Sequence, residues 1–143
     1  MSKVKNVLSK RSVQLAGGAV GALALTLTLA SPASAGTYAA ECSTTGAYGR
    51  IIADYWGADD RLDFYMTVLD SAADGHHARA RLITKNVNGT RKNWAWHAAT
   101  GGSGTSIDLT SYAIDDSGIF DWGVQVARFE GDTLLNSCTE WMS

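Results

Sequence analysis

HHARARLITKNVNGTRKNWAWHAAT, residues 76–100, holds two runs in which small or apolar residues alternate with polar ones, joined by Val87-Asn88-Gly89. A period of two is the mark of a strand with one dry face and one wet face. Asn-Gly between two such runs marks a hairpin turn. Two registers compete. A two-residue Asn88-Gly89 turn pairs Val87 with Thr90 and puts Trp94 and Trp96 on the face of Arg79 and Arg81. A three-residue turn pairs Asn86 with Thr90. Trp94 then faces Leu82, Trp96 faces Ala80 and Ala98 faces Ala78, while Arg79, Arg81, Lys85, Arg91, Asn93 and His97 gather opposite. A one-residue slip exchanges every side chain between faces, so burial discriminates. Only the three-residue turn sets large against small on a dry face, and it places Gly89 where the turn needs a left-handed residue.

That register also places the histidines. On an extended strand His76 and His77 point to opposite faces. His77 opposes Ala99 and His97 opposes Arg79, which leaves His77 and His97 as diagonal neighbours roughly 7–8 Å apart on the wet face. An arginine between them repels Zn²⁺ and no third ligand is evident, so no metal is expected.

The same alternation continues on both sides. In RLDFYMTVLD (61–70), Leu62, Phe64, Met66 and Val68 alternate with Asp63, Tyr65 and Thr67. In IFDWGVQVARF (119–129), Phe120, Trp122, Val124 and Val126 alternate with Asp121, Gly123, Gln125 and Ala127. GRIIADYW (49–56), TSIDLTS (105–111) and LLNSCTEW (134–141) read as further strands. Trp94, Trp96 and Trp122 are expected in the core. The breaks are Gly- and Asp-rich: GADD (57–60), AADG (72–75), VNG (87–89), GGSG (101–104), DDSG (115–118) and EGD (130–132). No sustained helical stripe occurs after residue 35. About seven short strands predict an all-β, antiparallel, immunoglobulin-like sandwich, with a small closed barrel as the alternative.

Before this domain, residues 1–35 read as a secretory signal peptide, helical until cleaved. Lys3, Lys5, Lys10 and Arg11 precede an apolar run, and Ala33-Ser34-Ala35 ends it as a small-residue cleavage signal. The domain is then 36–143, secreted and extracellular, with no membrane attachment after cleavage. All fourteen acids but only eight of the twelve basic residues lie beyond residue 35, a net charge of −6 there. Such a balance disfavours nucleic acid and anionic membranes as partners. Cys42 and Cys138 are the two cysteines; in an exported chain they pair, and closing so long a loop stabilises by roughly 4–5 kcal/mol.

Catalytic signatures are missing from the sequence. DSAADG (70–75) has two acids and does not match a calcium loop; turn chemistry accounts for its Asp and Gly. GGSGTS (101–106) lacks the Gly-Lys-Ser/Thr and the following helix of a phosphate loop. No catalytic residues, metal or cofactor are therefore assigned. Five Trp and five Tyr are many for so small a domain. Tyr55, Trp56, Tyr65, Tyr112 and Trp141 fall outside the core pattern and are the candidate ligand contacts, since exposed rings suit sugars or a protein partner. The leading expectation is a non-catalytic binding or cell-envelope-associated protein, its partner a polysaccharide, the envelope or an extracellular protein. The alternatives are a small secreted enzyme or enzyme inhibitor, for which His77, His97 and Arg79 with Asp108 or Asp121 form the one polar cluster, and a structural extracellular protein.

The alanine-rich leader, ECSTTG, DSAADGHHARARL, GGSGTSIDL and SCTEW together resemble small secreted proteins of unknown function from filamentous Gram-positive bacteria. The resemblance implies an exported β-sandwich and carries no functional residue.

Overall fold

The computed structural model describes residues 36–142; the segment read as a signal peptide lies outside the described residues. Nine strands occur among them: β1 (Gly36–Thr44), β2 (Ala47–Tyr55), β3 (Leu62–Asp70), β4 (His77–Lys85), β5 (Arg91–Asn93), β6 (His97–Ala99), β7 (Ser106–Ala113), β8 (Asp121–Glu130) and β9 (Thr133–Trp141). The first sheet has the order β1-β2-β3-β7; the second has the order β5-β4-β8-β9, with β6 pairing β4 beyond β5. All pairings are antiparallel. The chain crosses between sheets after β3, β6 and β7, so β3 meets β7 in one layer and β4 meets β8 in the other. This is a two-layer immunoglobulin-like order with an added N-terminal edge strand, and the sheets do not close into a barrel.

The core follows from the alternation. Ile51, Leu62, Met66 and Val68 from the first sheet meet Ala78, Ala80, Leu82, Trp122, Val124 and Val126 from the second, all essentially without solvent exposure. Ala80 on β4 pairs Val126 on β8, and Leu82 pairs Val124, so small and branched side chains fill the layer between the sheets. The Cys42–Cys138 disulfide ties β1 to β9, with Cα atoms 6.1 Å apart. It therefore joins the two sheets at one edge of the sandwich.

The β4–β5 turn has the three residues expected. Asn86 donates its N–H to Thr90 O at 3.2 Å, and Gly89 has φ +75°. The Asn86 side-chain oxygen accepts from the amides of Asn88 and Thr90, satisfying the turn's donors. The register then departs from expectation. Ile83 pairs Asn93, but Ala80 pairs His97, so Trp94, Ala95 and Trp96 stand opposite the two residues Arg81 and Leu82. One extra residue is a bulge, and it exchanges the faces beyond it. Trp94 keeps its inward position, donating Nε1–H to Thr84 Oγ1 at 3.1 Å. Trp96 does not lie in the core; it joins the outer face. Ala78 opposes Ala99 and Arg79 opposes Ala98, in place of the predicted pairs, and His97 moves to the core side of the sheet edge. His77 and His97 are thus on opposite faces, and the polar cluster they were to form with Arg79 does not exist.

Two further differences have simple causes. β1 adds a strand to the seven expected: TYAAECST alternates too weakly to signal one, and nine backbone pairs to β2 hold it as an edge strand. Phe120 is 46 % exposed, since it precedes β8 and its N–H bonds Lys85 O at the loop crossing.

Candidate functional site

Three surfaces carry polar chemistry: one end of the sandwich and the outer faces of the two sheets. At the end, the β3–β4 loop (71–76) and the β6–β7 loop (100–105) enclose a shallow cavity of about 410 Å³ that includes Asp74, His76, His77, Thr100 and Ser103. Asp74 accepts the His76 backbone N–H at 3.0 Å, and its other oxygen meets Arg128. The backbone bond first, then the His76 ring and Arg128, hold the Asp74 carboxyl below its usual range. His76 Nδ1 lies 3.0 Å from Asp74 and 3.1 Å from Arg128. His77 leaves on the other side, stacks on Phe129 and accepts Arg79 Nε–H at 2.9 Å. Each histidine is therefore engaged by its own arginine, and the adjacent pair does not converge. Among the described residues no three His, Cys, Asp or Glu side chains gather closely enough to hold a metal ion.

The outer face of the first sheet is hydroxyl- and carboxylate-rich. Asp63 pairs Tyr112 and Tyr65 pairs Thr110, so the two tyrosines are diagonal neighbours on adjacent strands, 42 % and 58 % exposed. A groove beside Tyr65 is lined by Thr37, Ile52, Asp54, Asp63 and Thr110. The acids here have partners. Thr37 donates to Asp54 at 2.7 Å, Thr67 to Asp108 at 2.6 Å and Tyr48 to Glu41 at 3.1 Å, while Arg61 bonds Asp63 at 3.0 Å. Hydrogen bonding to Asp108 pushes the Tyr65 phenol up from its ordinary value. Arg61 also lies over the Tyr112 ring, 5.2 Å from its centre.

The other aromatics named from the sequence stand elsewhere. Tyr55 turns toward the core and donates its hydroxyl to Ile119 O at 2.8 Å; burial, then Asp121 and Asp59, raise it. Trp56 is 60 % exposed in the loop after β2. Trp141 belongs to the opposite sheet, beneath Lys85. The five candidates thus share no single platform; Tyr65 and Tyr112 are the two that the sheet brings together.

The outer face of the second sheet differs in kind. Arg79, Arg81 and Lys85 alternate along β4, and Arg91 opposes Lys85 on β5. Beneath them Ile83, Ala127 and Phe129 are buried although they point away from the core. Their cover is a ladder of cations on rings: Arg79 over Phe129 and Arg81 over Trp96, each at 4.2 Å, and Lys85 over Trp141 at 3.6 Å. Trp96 packs edge-on against Phe129 at 5.3 Å. Gly123 is needed here, since a Cβ would strike the backbone of Glu140 and Trp141. Arg79 has Asp132 as an ion partner and Lys85 has Asp121. Arg81 and Arg91 instead both donate to Gln125 Oε1, each at 2.9 Å. The cations of this face were readable in HARARLITK; Trp96 was not, because W-A-W reads as one face until the extra residue is counted.

No family model, curated protein or solved structure matches this chain.

Proposed function

We propose that this is an exported, non-catalytic binding protein of the extracellular space or cell envelope, that its ligand is a polysaccharide, and that Tyr65 and Tyr112 are the principal contacts. One observation carries the reading: two exposed phenol rings stand diagonally on one sheet face beside a groove in which Thr37, Asp54, Asp63 and Thr110 border apolar Ile52 and Phe64. A sugar ring offers apolar C–H groups on its faces and hydroxyls at its rim. Aromatic faces suit the first, and acceptors such as Asp54 and Asp63 suit the second. Export rests on the leader-like residues 1–35 and agrees with a disulfide, which persists in oxidising surroundings.

Residues 36–143, mixed with insoluble chitin, cellulose or peptidoglycan, are expected to deplete from solution on one of them. Tyr65→Ala should abolish that retention while leaving the protein folded. Retention on none of the three matrices, or equal retention of the variant, would reject the tyrosine face as the binding surface.

A further inference from the structure

We propose that the outer face of the second sheet is a separate binding site for the carboxylates of an acidic polysaccharide, held by Arg81 and Arg91 where they converge on Gln125. This site lies on the side of the sandwich away from Tyr65 and Tyr112 and does not depend on them.

Charge balance is the first ground. Residues 36–143 carry a net charge of −6, yet four of their eight cations, Arg79, Arg81, Lys85 and Arg91, lie on this one face. Two are neutralised locally by Asp132 and Asp121. Among the described residues Arg81 and Arg91 have no carboxylate partner; both donate to the Gln125 amide oxygen, and Arg91 Nε–H also donates to Asn93 Oδ1 at 2.8 Å. Two guanidinium groups drawn to one oxygen repel each other. Burial, and after it the charge of Arg91, hold the Arg81 guanidinium below its usual value. An anion bridging the two forks relieves that repulsion, and planar guanidinium groups match a carboxylate bidentately. Gln125, itself anchored on central strand β8, fixes both arginines before any ligand arrives, which lowers the ordering cost of binding.

Shape and surroundings select the occupant. The rings of this face, Phe129, Trp96 and Trp141, are already capped by cations, so they offer less bare apolar surface to the anchor residue of a protein partner. The surplus of acids elsewhere on the domain opposes any polyanion, most of all duplex DNA with one charge per about 1.7 Å, and less a polymer with at most one carboxylate per ring. An extended polymer of hydroxylated rings with carboxylates at intervals meets these terms. Its carboxylates reach Arg81 and Arg91, and its hydroxyls reach Gln125 and Thr139, which pair across β8 and β9.

The test is affinity electrophoresis of the full-length protein in gels containing sodium polygalacturonate, neutral dextran or duplex DNA. Retardation by polygalacturonate alone is expected, weakening as salt rises from about 0.05 M to about 0.5 M. Arg91→Gln, at an exposed position, should weaken the apparent affinity by about tenfold, and Arg81→Gln with Arg91→Gln should abolish it. Arg50→Gln, on the other sheet, should leave it unchanged. Melting curves that match the parent's establish that the variants are folded. Absence of retardation by polygalacturonate, equal retardation of the double variant, or equal retardation by DNA would each overturn the proposal. Concentration-dependent self-association that Arg91→Gln abolishes would also overturn it, giving the face to a second copy.

Discussion

The two outer faces of this sandwich are built from strands with the same period-two alternation, yet they are physically unlike. On β3 and β7 the outward residues are mainly Tyr, Thr and Asp, with Leu69 and Ser106 at one end, and they are exposed or half-exposed with local hydrogen bonds. On β4 and β8 the outward set includes Ile83, Ala127 and Phe129, which are as buried as the core. The reason is cover. Long arginine and lysine stems and two tryptophans from neighbouring strands fold over the second face, and amphipathic side chains can shield apolar surface while keeping their charge in water. The second sheet is consequently apolar on both sides, with a thin charged shell, whereas the first is apolar on one side only. A strand's alternation names two faces; neighbours decide whether the outer one is wet.

The contrast can be attacked by experiment. The most severe intervention unties the sheets. Replacing Cys42 and Cys138 with Ser removes the link between β1 and β9, with 96 residues of sequence separation, and should cost about 4–5 kcal/mol in urea unfolding. Reductant should shift the parent to the same midpoint; a parent indifferent to reductant would mean that the bridge contributes nothing. The most direct test of the two faces compares one aromatic from each. Phe129→Ala should destabilise by about 3 kcal/mol, as a buried ring does, while Tyr65→Ala should stay within about 0.5 kcal/mol. Equal costs would erase the distinction between the faces.

A smaller effect sharpens the cover itself. Trp96→Ala removes one edge-on aromatic contact and one cation–ring contact and should cost about 1–2 kcal/mol by thermal or urea unfolding. If Trp96 were core, as the unbulged register has it, the loss would approach that of Phe129. The smallest effect concerns the loop that carries the chain from the first sheet to the second. Asp74 has a folded value below its ordinary 3.8, so its contribution is present above that pH and is lost as pH falls through the depressed value. The melting temperature of the parent should exceed that of Asp74→Asn near neutrality, and the two should converge on acidification. A gap independent of pH would remove the carboxylate from the account.

Much of the fold was readable in the chain, for identifiable reasons. Alternation in 61–70 and 119–129 named β3 and β8 and nearly all of their inward residues, because a sheet face requires every second side chain to be apolar. The three-residue turn was specified by Gly89 and its Asn86 cap, both local. With two cysteines only one pairing exists within the chain. The candidate contacts fared differently. Exposed aromatics were chosen residue by residue, and whether they share a surface depends on strand order, which places Tyr65 beside Tyr112 and sends Trp141 to the far sheet.

The amino-acid sequence thus settled what local and periodic rules govern: an all-β chain, the main strands, the tight turn, and the cations along β4. Long-range pairing settled the remainder. The bulge at Trp94–Trp96 arises because Ile83 meets Asn93 while Ala80 meets His97, a mismatch of one residue that no property of either strand alone reveals. It turned Trp96 outward over the Arg81 face and His97 inward. Burial of Phe129 on an outer face likewise depends on Trp96, from the bulge before β6, and on Arg79 of β4, which the sequence around Phe129 does not reveal. Side-chain direction is a property of one strand; cover is a property of its neighbours.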